Sequence, residues 1–352
     1  MQEVRIVLIG LGNLGRRFCE ILLAKDDLLR QRYDLALRVV GAADSRGIAY
    51  DPAGLDLNEI VRLKTTGGTV ADYIDGGRRD WDSPTLVANA DADILLEASP
   101  VNLDQGAEPG LTCARTALER GMHVATPNKG PLVVAFDELH ALAAEHGVQL
   151  RFDGTVAGGL PAINLGARDL RGAIIERMEA VPNLTTGYVM DLLAEGATWD
   201  EARTKARDAG VLEGDGRWDL EGWDAAAKLV ILANAVLGEH VRIADVPRAS
   251  VLDVDVDELR AARERGKRCR LLAQAERRSD GSYALSVTPT ALPADHPLGR
   301  LGSKQLGVVY VTDIYGTLTA IVDEPTPVPS AATMLRDLLD IFHVHTFERS
   351  NV

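Results

Sequence analysis

A chain of 352 residues with 46% hydrophobic content and few aromatics has the make-up of a soluble α/β enzyme, and its length suits two medium domains. A net charge of -14 excludes the basic footprint that a nucleic-acid partner or an anionic membrane surface would require. Three widely spaced cysteines, Cys19, Cys113 and Cys269, offer neither a disulfide framework nor a Cys-x-x-Cys zinc pair, and they fit a reducing cytoplasm.

In chain order, MQEVRIVLIG begins at once with a strand pattern rather than a charged segment and a long apolar core, so no export signal is expected. No apolar run approaches the roughly 18 residues that span a bilayer. The longest, around Leu229 to Leu237, is broken by Asn234. VRIVLIG (4 to 10) reads as a buried parallel strand, and LGNLG then turns into a helix with Leu14, Phe18 and Leu22 at helical spacing. LRVVGAAD (37 to 44), ADILLEAS (92 to 99) and GMHVAT (121 to 126) are further strands, with helices at about 107 to 120 and 137 to 146. This alternation predicts a Rossmann-type, doubly wound parallel sheet. Asp51 to Ser83, weakly periodic and glycine-bearing, is expected to be an excursion over the sheet edge.

After residue 150 the pattern changes. GTVAGGLPAINL is a Gly-rich turn into a helix, AIIERMEAV is a strand, and Thr198 to Ala209 is a helix opened by a capping box of Thr198 with Glu201. CRLLAQAE, YALSVTPTA, LGVVYVTDI and TLTAIV predict a mostly antiparallel sheet, giving an α+β second domain. DEPTPVPS (323 to 330) is a stiff linker, from which Ser330 is expected to cap a final helix through Leu339. His343 and His345, flanking a valine, read as a chain end rather than a metal site.

Gly10, Gly12 and Gly15 form G-x-G-x-x-G between strand and helix, a turn that lets a pyrophosphate approach the backbone at a positive helix end. Asn13 and Leu14 lie inside it, and Ser99 ends a later parallel strand, so all three join the candidate cofactor residues. At the end of the second strand Asp44 suits the ribose hydroxyl of NAD and Arg46 the 2′-phosphate of NADP; Lys64 could reach the same pocket. NAD and NADP both stay open. Cys113, within a helix, is a poor candidate for an activated thiol nucleophile.

EGDGRWDLEGWDAAAKLVILA (213 to 233) places five carboxylates before one lysine and an apolar helix. An exposed Asp224/Lys228 pair at i,i+4 is the plain reading of that spacing. Lys129, after a parallel strand, stands where α/β enzymes place site residues.

By DQGAEPGLTCARTALERGMHVATPNKGPLVV, then FDGTVAGGLPAINL, then DLEGWDAAAKLVILA, the chain resembles the homoserine dehydrogenase family over essentially its whole length. The resemblance implies a dinucleotide-binding domain (1–152 with 325–352), a catalytic and dimerisation domain (153–324), a homodimer and no kinase or regulatory domain. It also implies NAD(P)-dependent interconversion of L-homoserine and L-aspartate 4-semialdehyde, on the route to threonine and methionine. Lys129 matches the family's NK motif, Glu213 its substrate acid, Asp219 and Asp224 its paired acids, and Lys228 its acid/base lysine. The acids then read as a cradle for an amino-acid ammonium.

A direct pair with Asp224 would favour the ammonium form of Lys228, whereas Lys129 and burial oppose it. Aldehyde reduction is therefore expected near neutral pH and alcohol oxidation under alkaline conditions. The resemblance also implies a monovalent-cation site (Na+ or K+) at Asp153, Val156, Gly158 and Leu160, with aspartate replacing the usual glutamate. Where the family reads N-G-T-x-N-Y, this chain has NLTTGY: Asn183, Thr185 and Tyr188 are kept, while Leu184 and Gly187 differ. A glycine-to-leucine change disfavours a positive φ, which keeps two alternatives open: a relative acting on another small hydroxy or amino acid, and a nucleotide-binding sensor without turnover.

Overall fold

The computed structural model describes residues 1–212 and 214–343. The chain divides into two units, Met1–Thr155 with the segment from Pro327 onward, and Val156–Thr326.

The first unit is built on a seven-stranded sheet of order β4-β3-β2-β1-β5-β6-β7. Its strands are β1 (Gln2–Ile9), β2 (Leu35–Asp44), β3 (Gly47–Tyr50), β4 (Gly77–Arg78), β5 (Ile94–Glu97), β6 (His123–Ala125) and β7 (Leu150–Arg151). β1 pairs in parallel with β2 and β5, and β5, β6 and β7 continue the parallel run. Val4, Ile6, Val7, Leu8 and Ile9 are almost wholly buried, as a central strand covered on both faces requires. The helix Asn13–Tyr33 lays Phe18, Cys19, Leu22 and Leu29 into that core. The helix Val328–Phe342 adds Met334, Leu338 and Ile341 to it, so both ends of the sequence build one hydrophobic interior.

Three expectations change here. The excursion from Asp51 to Ser83 is more regular than its glycines suggested: it holds the helix Leu57–Thr65 and β4, which pairs antiparallel on β3, the strand that returns on β2 just before it. The helix expected from residue 137 begins at Lys129 and bends at Ala135. Pro131 falls in its first turn, where a missing N–H costs no hydrogen bond. Ser330 is not a cap, because the helix starts at Val328 with Pro327 in the capping place and Pro329 inside its first turn.

The second unit carries an antiparallel sheet of order β10-β9-β8-β11-β12. These strands are β8 (Ile175–Val181), β9 (Arg268–Arg277), β10 (Tyr283–Leu292), β11 (Gln305–Thr312) and β12 (Gly316–Asp323). The helices Leu184–Ala194 and Trp223–Leu232 pack on it. From Ala225 to Leu232 every residue of the latter except Lys228 is buried, so one face of it reaches the sheet and the charged pair Asp224/Lys228 is carried inward. The capping box of Thr198 and Glu201 is present on the helix Trp199–Asp208. Asp191 receives hydrogen bonds from Arg268 and from the buried Arg270, fastening the helix Leu184–Ala194 to β9. Among the described residues no helix is long and apolar enough to cross a membrane.

Candidate active site

In the first unit, the glycine turn leaves the carboxyl end of β1 and enters the helix Asn13–Tyr33. Gly10 has φ +90°, and a Cβ there would lie 2.2 Å from the Ala98 carbonyl oxygen. A Cβ on Gly15 would lie 2.0 Å from the Gly10 carbonyl oxygen, so this glycine lets the helix pack on the turn. Gly12 differs: nothing stands within 4 Å of its missing side chain. No side chain caps the helix and no acid occupies its first turn. Open space at an uncapped, positive helix end fits the pyrophosphate of a dinucleotide.

The acid at the end of β2 is engaged. Asp44 Oδ1 accepts from the Arg46 backbone N–H (2.9 Å) and Thr69 Oγ1 (2.8 Å), and Oδ2 accepts from Lys64 Nζ (2.5 Å) and the Val70 N–H (3.1 Å). Burial pushes this carboxyl up, but Lys64 and the other donors outweigh it and hold Asp44 below the usual carboxylate range. Arg46 donates to the carbonyls of Gly67 and Gly68, the second of which Lys64 Nζ also meets at 3.3 Å, so the two cations share a carbonyl near the filled carboxylate.

At the ends of β5 and β6, Glu97 is fully buried and Ser99 half-buried, and Asn128 caps the helix that Lys129 begins. Sequence reading singled out Ser99 and Lys129 but not Glu97, Thr126 or Asn128. Cys113 is buried, and burial reinforced by Glu97 and Glu108 pushes its thiol up, so no activated nucleophile stands there.

In the second unit, Lys228 Nζ donates to Asp224 Oδ2 (2.8 Å) and to the Pro182 carbonyl (2.7 Å), with its side chain 15% exposed. Asn183 Nδ2 donates both to Asp224 Oδ2 (2.7 Å) and to Asp219 Oδ1 (2.8 Å), while its Oδ1 caps the next helix at Thr186 N–H. One amide therefore joins Asp219, Asp224 and Lys228 into a cluster; the surface-pair reading fails. Burial, then the charge of Asp224, raises the carboxyl of half-buried Asp219.

Thr185 is buried and donates to the Val211 carbonyl; Tyr188 is half-buried on the same helix. Leu184 opens this helix with Asn183 as cap, and neither Leu184 nor Gly187 has a positive φ, so the departure in NLTTGY introduces no backbone strain. Glu213 lies outside the described residues.

The cation residues have partners of their own. Asp153 is 2% exposed and pairs with Arg336 at 2.6 Å, and the Leu160 carbonyl accepts from Ala162 N–H. Among the described residues no three His, Cys, Asp or Glu side chains form a metal cluster. Of this set only Asp153 offers a side chain, and it is paired with Arg336; the other three would contribute backbone carbonyls, each with two acceptor positions, and no catalytic step is routed through a cation.

Two family models match the chain: "Homoserine dehydrogenase, NAD binding domain" over residues 10–153 and "Homoserine dehydrogenase" over 161–339. A homoserine dehydrogenase of Methanocaldococcus jannaschii is 33% identical, covering 96% of this chain and 98% of that protein. An NAD(+)-dependent homoserine dehydrogenase of Pseudomonas canavaninivorans is 32% identical over 98% of this chain and 97% of that protein. Among solved structures, a hyperthermophilic archaeal homoserine dehydrogenase in complex with NADPH matches with a TM-score of 0.82 at 27% identity, covering 97% of this chain and 98% of that one. With a glycine turn shaped for a dinucleotide, a lysine held among acids, and matches along nearly its full length, this chain belongs to the homoserine dehydrogenase family.

Proposed function

We propose that this protein catalyses the NAD(P)-dependent interconversion of L-homoserine and L-aspartate 4-semialdehyde, with Lys228 as proton carrier. The observation that carries this reading is the Asp219, Asn183, Asp224 and Lys228 cluster. When bound, the nicotinamide supplies or accepts the hydride at the substrate carbon. The protein handles the oxygen on that carbon: Lys228 delivers a proton to it in reduction and removes one in oxidation. Asp224 and the Pro182 carbonyl aim the ammonium. Asp219 is the group we assign to the substrate ammonium, with Thr185 and Tyr188 on the adjoining helix as further substrate contacts. A panel of L-homoserine and near analogues, assayed at 340 nm with each nucleotide, tests this. Turnover of homoserine supports it, activity only on a neighbour selects a related dehydrogenase, and nucleotide binding without turnover selects a sensor.

The direction of the Asp219 shift sets a pH dependence. A raised carboxyl takes up its proton at higher pH than usual, and only the carboxylate holds an ammonium. The KM for homoserine is expected to climb as pH falls, starting above the ordinary carboxylate range. Asp219→Asn should give a high KM with this acid limb flattened. A limb unchanged in the variant would remove Asp219 from the substrate.

We further propose a preference for NADP(H). An ionised carboxylate offers about four acceptor positions, and Asp44 has all of them filled by internal donors, leaving none for a ribose hydroxyl. Lys64 and Arg46 then suit a 2′-phosphate. Lys64→Ala should weaken NADPH binding by about tenfold, the usual scale for one charge-assisted contact. NADH binding should hold or tighten as Asp44 is released. An unaltered NADPH-to-NADH ratio of Kd in titration calorimetry would contradict the assignment.

The same reading carries a cytoplasmic homodimer. β12 is an edge strand with Ile321 open to solvent, and Ile174 and Ile314 are exposed near the β11–β12 turn, apolar surface of the kind a second copy covers. Sedimentation velocity reports the state directly.

A further inference from the structure

β1, β5 and β6 are neighbours, and their carboxyl ends meet at one buried carboxyl group. Glu97 Oε1 accepts from the Ser99 N–H at 2.8 Å. Thr126 Oγ1 donates to the Glu97 carbonyl at 2.8 Å and receives the Asn128 N–H at 3.0 Å. The Asn128 side-chain amide uses both of its ends. Its Oδ1 accepts from the Gly130 N–H at 2.9 Å, capping the helix of Lys129, and its Nδ2 donates to Ser99 Oγ at 3.3 Å.

Asn128 Nδ2 and Glu97 Oε2 lie 2.8 and 2.9 Å from the place a Cβ on Gly110 would occupy, so this glycine leaves room for donor and acceptor to face each other. The Gly10 turn rests on the same backbone, its missing Cβ only 2.5 Å from Ser99 N.

We propose that Glu97 is a positioning residue for the nicotinamide end of the bound nucleotide, acting through Asn128 and Ser99 to fix the turn that presents Lys129. This rests on the dehydrogenase reading above. The reason is one of hydrogen-bond polarity. The cap requires Asn128 Oδ1 to face Gly130, so Nδ2 must face Glu97 and needs an acceptor there. Burial raises the Glu97 carboxyl and the Ser99, Asn128 and Thr126 donors oppose it; as the carboxylate it accepts at both oxygens and satisfies Ser99 N–H and Asn128 Nδ2 together. A glutamine of the same shape accepts at only one end. With its oxygen on Ser99 N–H, its NH2 meets the NH2 of Asn128, and turning Asn128 over would set a donor against Gly130 N–H and break the cap.

The test is an exchange of the two groups. Glu97→Gln should lower kcat/KM for the nucleotide by about tenfold or more, the scale of one hydrogen bond to a charged group. Asn128→Asp, which puts two carboxylates together, should do at least as much harm. The double variant restores the pairing, because the carboxylate that Asn128→Asp introduces still caps the helix and accepts from the glutamine; it should return to within about threefold of the parent, a coupling that independent sites would not show. Binding of 2′,5′-ADP, which lacks the nicotinamide, should be level across the set.

A Glu97→Gln protein as active as the parent overturns the proposal. So does a double variant no better than the worse single one, whether through lost activity or failure to fold, and so does equal weakening of 2′,5′-ADP and NADPH. If the parent protein turns over no homoserine, the proposed reaction fails, yet the coupling is still read from the Kd of NADPH.

Discussion

Lys228→Ala is expected to lower kcat/KM for homoserine by about 10²–10⁴-fold, the range of a lost general acid/base, with a much smaller effect on NADPH binding because the lysine is assigned to the substrate oxygen and not to the nucleotide. The alanine variant should also melt early. Its partner Asp224 is 5% exposed, and removing one member of a buried pair leaves an uncompensated charge that costs about 3–5 kcal/mol. Lys228→Arg separates the two effects. A guanidinium keeps the partner for Asp224 but does not give up its proton in this pH range, so the arginine variant should recover most of the stability and little of the rate. Calorimetric melting beside steady-state assays checks both. An arginine variant with near-parent turnover would show that no proton passes through residue 228.

Gly12→Asp is expected to split folding from binding with opposite signs. Gly12 has φ -79°, has nothing within 4 Å of an added Cβ, and occupies the N-cap of the helix Asn13–Tyr33. Aspartate is among the better N-cap residues and its charge suits the helix end, so melting should be unchanged or improved by about 1 kcal/mol. The same carboxylate would stand where the pyrophosphate belongs. Affinity for NADPH should drop by about 10²-fold or more, equal to about 3 kcal/mol, the worth of one or two hydrogen bonds to a charged group. Gly10→Ala is the converse. A side chain there meets the Ala98 carbonyl at 2.2 Å on a backbone with φ +90°, and the fold itself should lose about 2–4 kcal/mol. Unimpaired NADPH binding by folded Gly12→Asp would place the pyrophosphate elsewhere.

The periodic parts of the molecule could be read directly from the chain. VRIVLIG, LRVVGAAD and ADILLEAS are apolar runs long enough to declare buried strands, and the glycine spacing between the first and its helix carries its own geometry. β3 and β4 escaped notice because they are four and two residues long, and strands of that length have no period to detect. The start of the helix at Lys129 is hidden because glycine and proline oppose a helix interior, and Gly130 and Pro131 are tolerated only by their place in its first turn.

Lys228, Asp219 and Asp224 were legible through their motif, but the bond that unites them was not. Asn183 lies more than one structural element upstream, and only the fold brings its amide between the two acids. Glu97 was invisible for a similar reason: within ADILLEAS it looks like the polar end of a strand, whereas tertiary packing buries it completely. Asp44 shows the reverse limit. Its position at the strand end announced a ribose ligand, and the Lys64 and Thr69 contacts that occupy it depend on how the excursion folds back.

Because Met334, Leu338 and Ile341 complete the interior around β1, the nucleotide-binding unit cannot close until the helix Val328–Phe342 has been made. Val156–Thr326 is therefore the first unit to emerge complete, as one uninterrupted stretch, while the earlier sheet waits with a greasy flank uncovered. Loss of the helix Val328–Phe342 would thus leave the Rossmann half with that apolar flank open and prone to aggregate.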